Sequence, residues 1–318
     1  MMPKPPVPIV RPRERRHVTI VAGFKCWEGV VLCADTQETI AEISKRNIPK
    51  LIFEPKTSYG KTKALHDDDL AVAFCGAANN GPFVDKLVQN AWEDSQAGTN
   101  LDEVCTLIER SIELTYKKFG QIYQAGYCPS AELIYGVKMF GSSKMFSASG
   151  PVVVEQTRYA TGGGGYYMAD FLSSRMYTEH LSLRQCVILA AYILFQAKEH
   201  VDGCGGESHI AILRNHGVSG SVDWVMIEAL NKLLSYSDSE LGRILLASAD
   251  LEMASHSFSE SVAEVGRLLE GYRQLQMHDY RQLRSIDHRT FVKYPDKKSI
   301  DEFGLPMPSD SQKSEDQS

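Results

Sequence analysis

No run of apolar residues in the 318-residue chain approaches the ~18 that a membrane-spanning helix needs. A large excess of either charge is also lacking. With 34 Lys+Arg against 40 Asp+Glu, the net charge is −6, which leaves no electrostatic footprint for non-specific nucleic-acid binding. Neither a membrane nor a nucleic acid is therefore expected as a partner. The N-terminus lacks the apolar core of a secretory signal, and the expected location is cytoplasmic. Seven cysteines, an odd number set in apolar stretches such as Leu32-Cys33-Ala34, argue against a disulfide framework. The phosphate-loop pattern GxxxxGK[ST] is absent, and His200, Cys204 and His209 do not match a zinc spacing.

What remains is ordinary globular composition, 43% hydrophobic and 23% charged. Up to Val18 the chain is Pro- and Arg-rich, with Lys4, Arg11, Arg13, Arg15 and Arg16 against Glu14, and reads as an extended arm or removable pro-segment. Val18 to Phe24 and Gly29 to Ala34 form a hairpin pattern, and Leu70 to Cys75 a buried strand. Two helical patterns follow, through Phe83–Trp92 and Val104–Leu114. Strands are then expected over Glu132–Phe140, Lys144–Ser149 and Val152–Thr161. Helices over 165–177 and 182–200 follow, the second with Ser182 as N-cap, and strands return at His209–Leu213 and near Ser221–Trp224. Helices arriving in pairs between groups of antiparallel strands predict two stacked sheets with a helical layer outside each. Residues 226–290 read as a helical extension striped by Leu241, Ile244, Leu245, Val262, Val265, Leu268 and Leu269, and 291–318 as a disordered tail.

Three segments carry a resemblance. Thr19 to Lys25 followed by Glu28 to Asp35 resembles the opening hairpin of proteasome core subunits and of the related bacterial ATP-dependent threonine peptidase. Ala73-Phe74-Cys75-Gly76-Ala77-Ala78 resembles the strand-to-helix turn of those proteins, and Tyr159 to Gly165 their glycine-rich turn. The likeness spans about residues 18–225 and implies a domain over 19–225. It implies an α+β fold, the four-layer αββα sandwich of N-terminal-nucleophile hydrolases.

Carried over residue by residue, the resemblance implies Thr19 as a nucleophile made N-terminal by self-cleavage. Asp35, sixteen positions on, falls on the family's aspartate, Lys50 on its lysine after a one-residue deletion, and Gly76 on the oxyanion-binding amide. A free α-amine has an unperturbed pKa of ~7.7–8.0 and can take the proton from its own hydroxyl near neutral pH. A lysine beside it would lower that pKa and hold the oxygen, with the aspartate orienting the lysine. The pattern also departs from the family: Val18 precedes Thr19 where glycine is usual, Gly163 and Cys204 stand where serines are expected, and Asp202 is displaced by one position. The resulting expectation is a proteasome-like threonine peptidase without metal or organic cofactor. It would assemble in rings with copies of itself or related subunits, act on polypeptide, and work with an ATPase unfoldase as a further partner. The alternatives are a catalytically silent subunit and a small-molecule amidase of the same superfamily.

Overall fold

Alternation of side chains explains how the opening hairpin sits in the fold. In the computed structural model, which describes residues 19–40, 44–48, 50–55, 69–78, 81–122, 131–248, 259–260, 262–267 and 270, strands β1 (Val21–Cys26) and β2 (Gly29–Asp35) pair antiparallel across a Trp27-Glu28 turn. Ala22, Phe24, Cys26, Val31 and Cys33 point to one face, and Val21, Val30, Leu32 and Ala34 to the other. Both faces are buried, so the strands are apolar apart from the half-buried Lys25 near the turn and Asp35 at the end of β2. Gly29 permits the close approach of a neighbouring strand: a Cβ there would lie 2.0 Å from the Leu213 carbonyl oxygen.

The hairpin belongs to the first of two five-stranded antiparallel sheets. With β10 (Arg158–Thr161), β11 (Ser208–Arg214) and β12 (Gly220–Ser221), its order is β10-β1-β2-β11-β12. The second sheet comprises β5 (Leu51–Pro55), β6 (Ala71–Ala78), β7 (Ala131–Met139), β8 (Ser142–Ser149) and β9 (Val152–Glu155), in that order. A separate ribbon of β3 (Gln37–Ile40) and β4 (Ser44–Asn47) leads from β2 toward Lys50. The run expected as one strand over 152–161 is two. Gln156 and Thr157 interrupt it, so that β9 pairs with β8 while β10 pairs with β1 in the other sheet.

Two helices, α1 (Gly81–Ser95) and α2 (Leu101–Ile122), follow β6. Another two, α3 (Gly165–Met176) and α4 (Leu183–His200), follow β10. Ser182 caps α4 as expected, in a capping box with Gln185. Three apolar clusters hold these elements. The first joins β1 and β2 to α3, α4 and Ile227 and Leu230 of α5 (Trp224–Ser248). The second joins β6–β8 to α1 and α2. The third draws Val21, Leu32 and Leu213 from the first sheet against Ala73, Ile134 and Met145 from the second.

Val104, Ile108 and Ile193 are fully buried in the chain's own core, and Ile188 is half-buried. The apolar stripe of the extension is only partly packed: Leu241, Leu245 and Val262 are 53%, 72% and 46% exposed, whereas Val265 is buried. Leu268, Leu269, the arm 1–18 and the tail 291–318 lie outside the described residues.

Candidate functional site

Asp35 ends β2 and is completely buried, and side-chain and backbone donors around it satisfy both of its oxygens. Its Oδ1 accepts from the Thr19 hydroxyl at 2.7 Å, the Ile20 amide at 3.2 Å and the Lys50 ammonium at 2.6 Å. Its Oδ2 accepts from the Gly205 amide at 3.1 Å. Burying a carboxylate is costly unless its oxygens are hydrogen-bonded, and this donor set supplies those bonds. Lys50, just before β5, also donates to Thr19 Oγ1 and to the Gln37 carbonyl. The fold thus brings Thr19, Asp35 and Lys50 into one hydrogen-bonded cluster, with the Thr19 oxygen between an ammonium and a carboxylate.

The glycine-rich turn before α3 packs on Thr19 itself. A Cβ on Gly162 would lie 2.6 Å from the Thr19 carbonyl oxygen. One on Gly165 would lie 2.7 Å from that oxygen and 2.6 Å from Ile20 Cβ. These glycines make room for the backbone of the residue expected as nucleophile, which explains why small residues are needed there.

Gly76 is held differently. Its amide donates to the carbonyl of Lys50 at 3.1 Å, continuing the β5–β6 ladder by one pair, so the expected oxyanion donor is engaged by backbone in this structure. Cys204 lies beside the cluster, but burial, with the Asp35 charge adding to it, pushes its thiol up to about 12 against the pull of Lys50. Burial likewise raises Cys33 to about 12 and Cys75 well above the thiol range. Burial thus favours the protonated thiol in all three. The six described cysteines are all buried and free.

Two contributors were not foreseen from the sequence. The Gln37 backbone carbonyl holds Lys50, and Lys198, near the end of α4, donates to the Gly206 carbonyl at 2.6 Å. Backbone acceptors leave no side-chain signature, so no spacing rule finds these contacts. A cavity of about 330 Å³ lined by Trp27, Glu28, Leu183, Arg214, Asn215 and His216 lies at the hairpin tip, the far end of β2 from Asp35. Among the described residues there is no group of three or more His, Cys, Asp and Glu able to hold a metal ion. Nor is any helix among them long and apolar enough to cross a membrane.

No protein-family model and no curated protein sequence matches the chain. Solved structures do resemble it. An Anbu (Gly-1) mutant from Hyphomicrobium sp. strain MC1 superposes with a TM-score of 0.52 at 14% identity, covering 74% of this chain and 98% of that one. Anbu (ancestral beta-subunit) from Yersinia bercovieri gives 0.53 at 11%, covering 74% and 99%. The subunit in a helical assembly of the Anbu complex from Pseudomonas aeruginosa gives 0.55 at 11%, covering 71% and 96%. At these identities the likeness is one of fold.

Proposed function

We propose that this chain is a proteasome-like N-terminal-nucleophile amidohydrolase subunit that cleaves peptide bonds with Thr19. The observation that carries the reading is the cluster itself: Thr19 Oγ1 bonded to both Asp35 and Lys50, all three largely shielded from solvent. The likeness in fold to the Anbu structures supports it.

In this reading, cleavage after Val18 frees the α-amine of Thr19. That amine takes the hydroxyl proton while the oxygen attacks the substrate carbonyl to form a tetrahedral adduct, then returns the proton to the departing amine product as the C–N bond breaks and an ester on Thr19 remains. Water, deprotonated by the same amine, releases the second product. The Lys50 ammonium stabilises the developing oxygen charge and keeps the amine basicity near neutral, and Asp35 holds Lys50 in line. Stabilising the oxyanion by the Gly76 amide requires that its bond to the Lys50 carbonyl open.

The three apolar clusters support a four-layer αββα arrangement for 19–225, with 226–290 as a helical extension between the 1–18 arm and the 291–318 tail. Assembly with copies of itself or related subunits fits the exposed Leu241, Leu245 and Leu246 of α5. A polypeptide substrate, an ATPase unfoldase partner and a cytoplasmic location complete the reading. The engaged Gly76 amide favours one alternative, a silent subunit that keeps the fold for assembly only. The intact mass of the purified full-length chain separates the two. Loss of residues 1–18 supports the hydrolase, and a chain that keeps them without peptide turnover supports the silent subunit.

A further inference from the structure

The loop between α4 and β11 is tied to the site from two directions. The Gly205 amide donates to Asp35 Oδ2 at 3.1 Å, and the Gly205 carbonyl accepts from the Gln37 amide at 3.1 Å. Gln37 in turn offers its own carbonyl to the Lys50 ammonium. The next residues bind Thr36: its amide donates to the Glu207 carbonyl at 3.1 Å, and the Glu207 amide donates to its hydroxyl at 2.7 Å. One short loop therefore fixes both the carboxylate and the carbonyl that orient Lys50.

This loop has no slack. Gly206 adopts φ +70°, and a Cβ there would stand 2.4 Å from Thr36 Oγ1 and 2.5 Å from Asn47 Oδ1. A Cβ on Gly205 would stand 2.4 Å from Gln37 Oε1. Glycines alone do not hold such a loop, because they lose the most conformational freedom on ordering. The compensating contact is Lys198, whose ammonium reaches the Gly206 carbonyl at 2.6 Å, a charge-assisted bond. Burial pushes the Lys198 pKa down, opposed by the nearby carboxylates of Glu228, Asp35 and Glu207. Those three carboxylates favour the ammonium form that makes the bond.

We propose that Lys198 is a positioning residue for the Thr19–Asp35–Lys50 cluster, clamping the 204–207 loop so that Gly205 and Gln37 hold Asp35 and Lys50 in register. Its effect on turnover rests on the hydrolase reading above; the clamp itself does not.

The test compares Lys198→Met, Lys198→Gln and Lys198→Arg in the full-length chain by peptide turnover and by amide hydrogen exchange resolved over 201–208. In Lys198→Met, kcat falls about tenfold to a hundredfold, as misalignment of a reacting group does. KM stays within about twofold, the melting temperature is near that of the parent, and exchange rises at Gly205 and its neighbours. Lys198→Arg, which keeps the charged donor, recovers most of both signals; Lys198→Gln guards against poor folding of the methionine variant. Unchanged kcat in Lys198→Met and Lys198→Gln overturns the positioning role, as does a loss that tracks melting temperature and is not rescued by arginine. If the parent chain turns over no peptide, the hydrolase reading fails. Exchange still decides the clamp in that case: faster exchange confined to 204–207 sustains it, and unchanged exchange refutes it.

Discussion

The ammonium of Lys50 lies 2.6 Å from Asp35 Oδ1, a pair in which the carboxylate is fully buried and the lysine side chain only 10% exposed. The two partners are not equally dependent on each other. Without Lys50, Asp35 keeps the Thr19 hydroxyl and the Ile20 and Gly205 amides. Without Asp35, Lys50 keeps only the neutral oxygens of Thr19 and Gln37.

Asp35→Ala is therefore expected to cost about 3–5 kcal/mol of stability, the range for stranding a buried charge. Lys50→Ala should cost less, and the double substitution less than the sum of the two. Urea unfolding of the three variants measures this; equal costs for the two single changes would contradict the asymmetry.

Gly165→Ala tests the packing of the glycine-rich turn on Thr19. Its Cβ would meet the Thr19 carbonyl and Ile20 Cβ, neither of which can swing away, so a loss of about 1–3 kcal/mol is expected. Gly81→Ala, where nothing lies within 4 Å, serves as the control and should be close to neutral. Equal melting temperatures for the two variants would count against the contact.

Alkaline pH should weaken the fold through its buried thiols. Cys33 and Cys105 are raised by burial from an ordinary value of 9.0 to about 12, so the native state holds protons that the unfolded chain releases. Stability from these groups is complete below about pH 9 and falls as pH rises toward 12, by up to about 1.4 kcal/mol per thiol per pH unit. Urea midpoints at pH 8 and pH 10 should differ less in Cys33→Ala/Cys105→Ala than in the parent chain; the same drop in both would exclude these thiols.

Assembly is tested on α5. Leu241 and Leu246 are 53% and 77% exposed, so Leu241→Asp/Leu246→Asp should change thermal stability by less than about 0.5 kcal/mol. If α5 carries the interface, sedimentation should report a smaller particle than for the parent chain. An unchanged particle size would move the interface elsewhere.

Much of this architecture is legible in the residues, for identifiable reasons. The β1–β2 hairpin declares itself by long β-rich runs on either side of a short polar turn, and α4 by Ser182 ahead of an apolar repeat. The approach of Thr19 to Asp35 follows from that hairpin, because β1 and β2 pair so that Val21 faces Ala34. The β3, β4 and β5 strands escape notice because they are four, four and five residues long and the first two are mostly polar. Nothing in the continuous run from Val152 to Thr161 says that the chain changes sheets at Gln156. The helical repeat marks Val104 and Ile108 as one face of α2, but only the tertiary fold shows that β6–β8 cover it. The engagement of Gly76 and the reach of Lys198 depend on backbone carbonyls brought close only by the tertiary fold.

In the proposed mechanism the Thr19 hydroxyl, once its own amine is free, performs amide hydrolysis. Its most direct measurement is peptide turnover paired with intact mass for the parent chain, Thr19→Ser and Thr19→Ala. The expected result is a parent chain that begins at Thr19 and cleaves peptides, a serine variant that retains part of both properties, and an alanine variant that keeps residues 1–18 and is inert. Turnover by Thr19→Ala equal to that of the parent would contradict it.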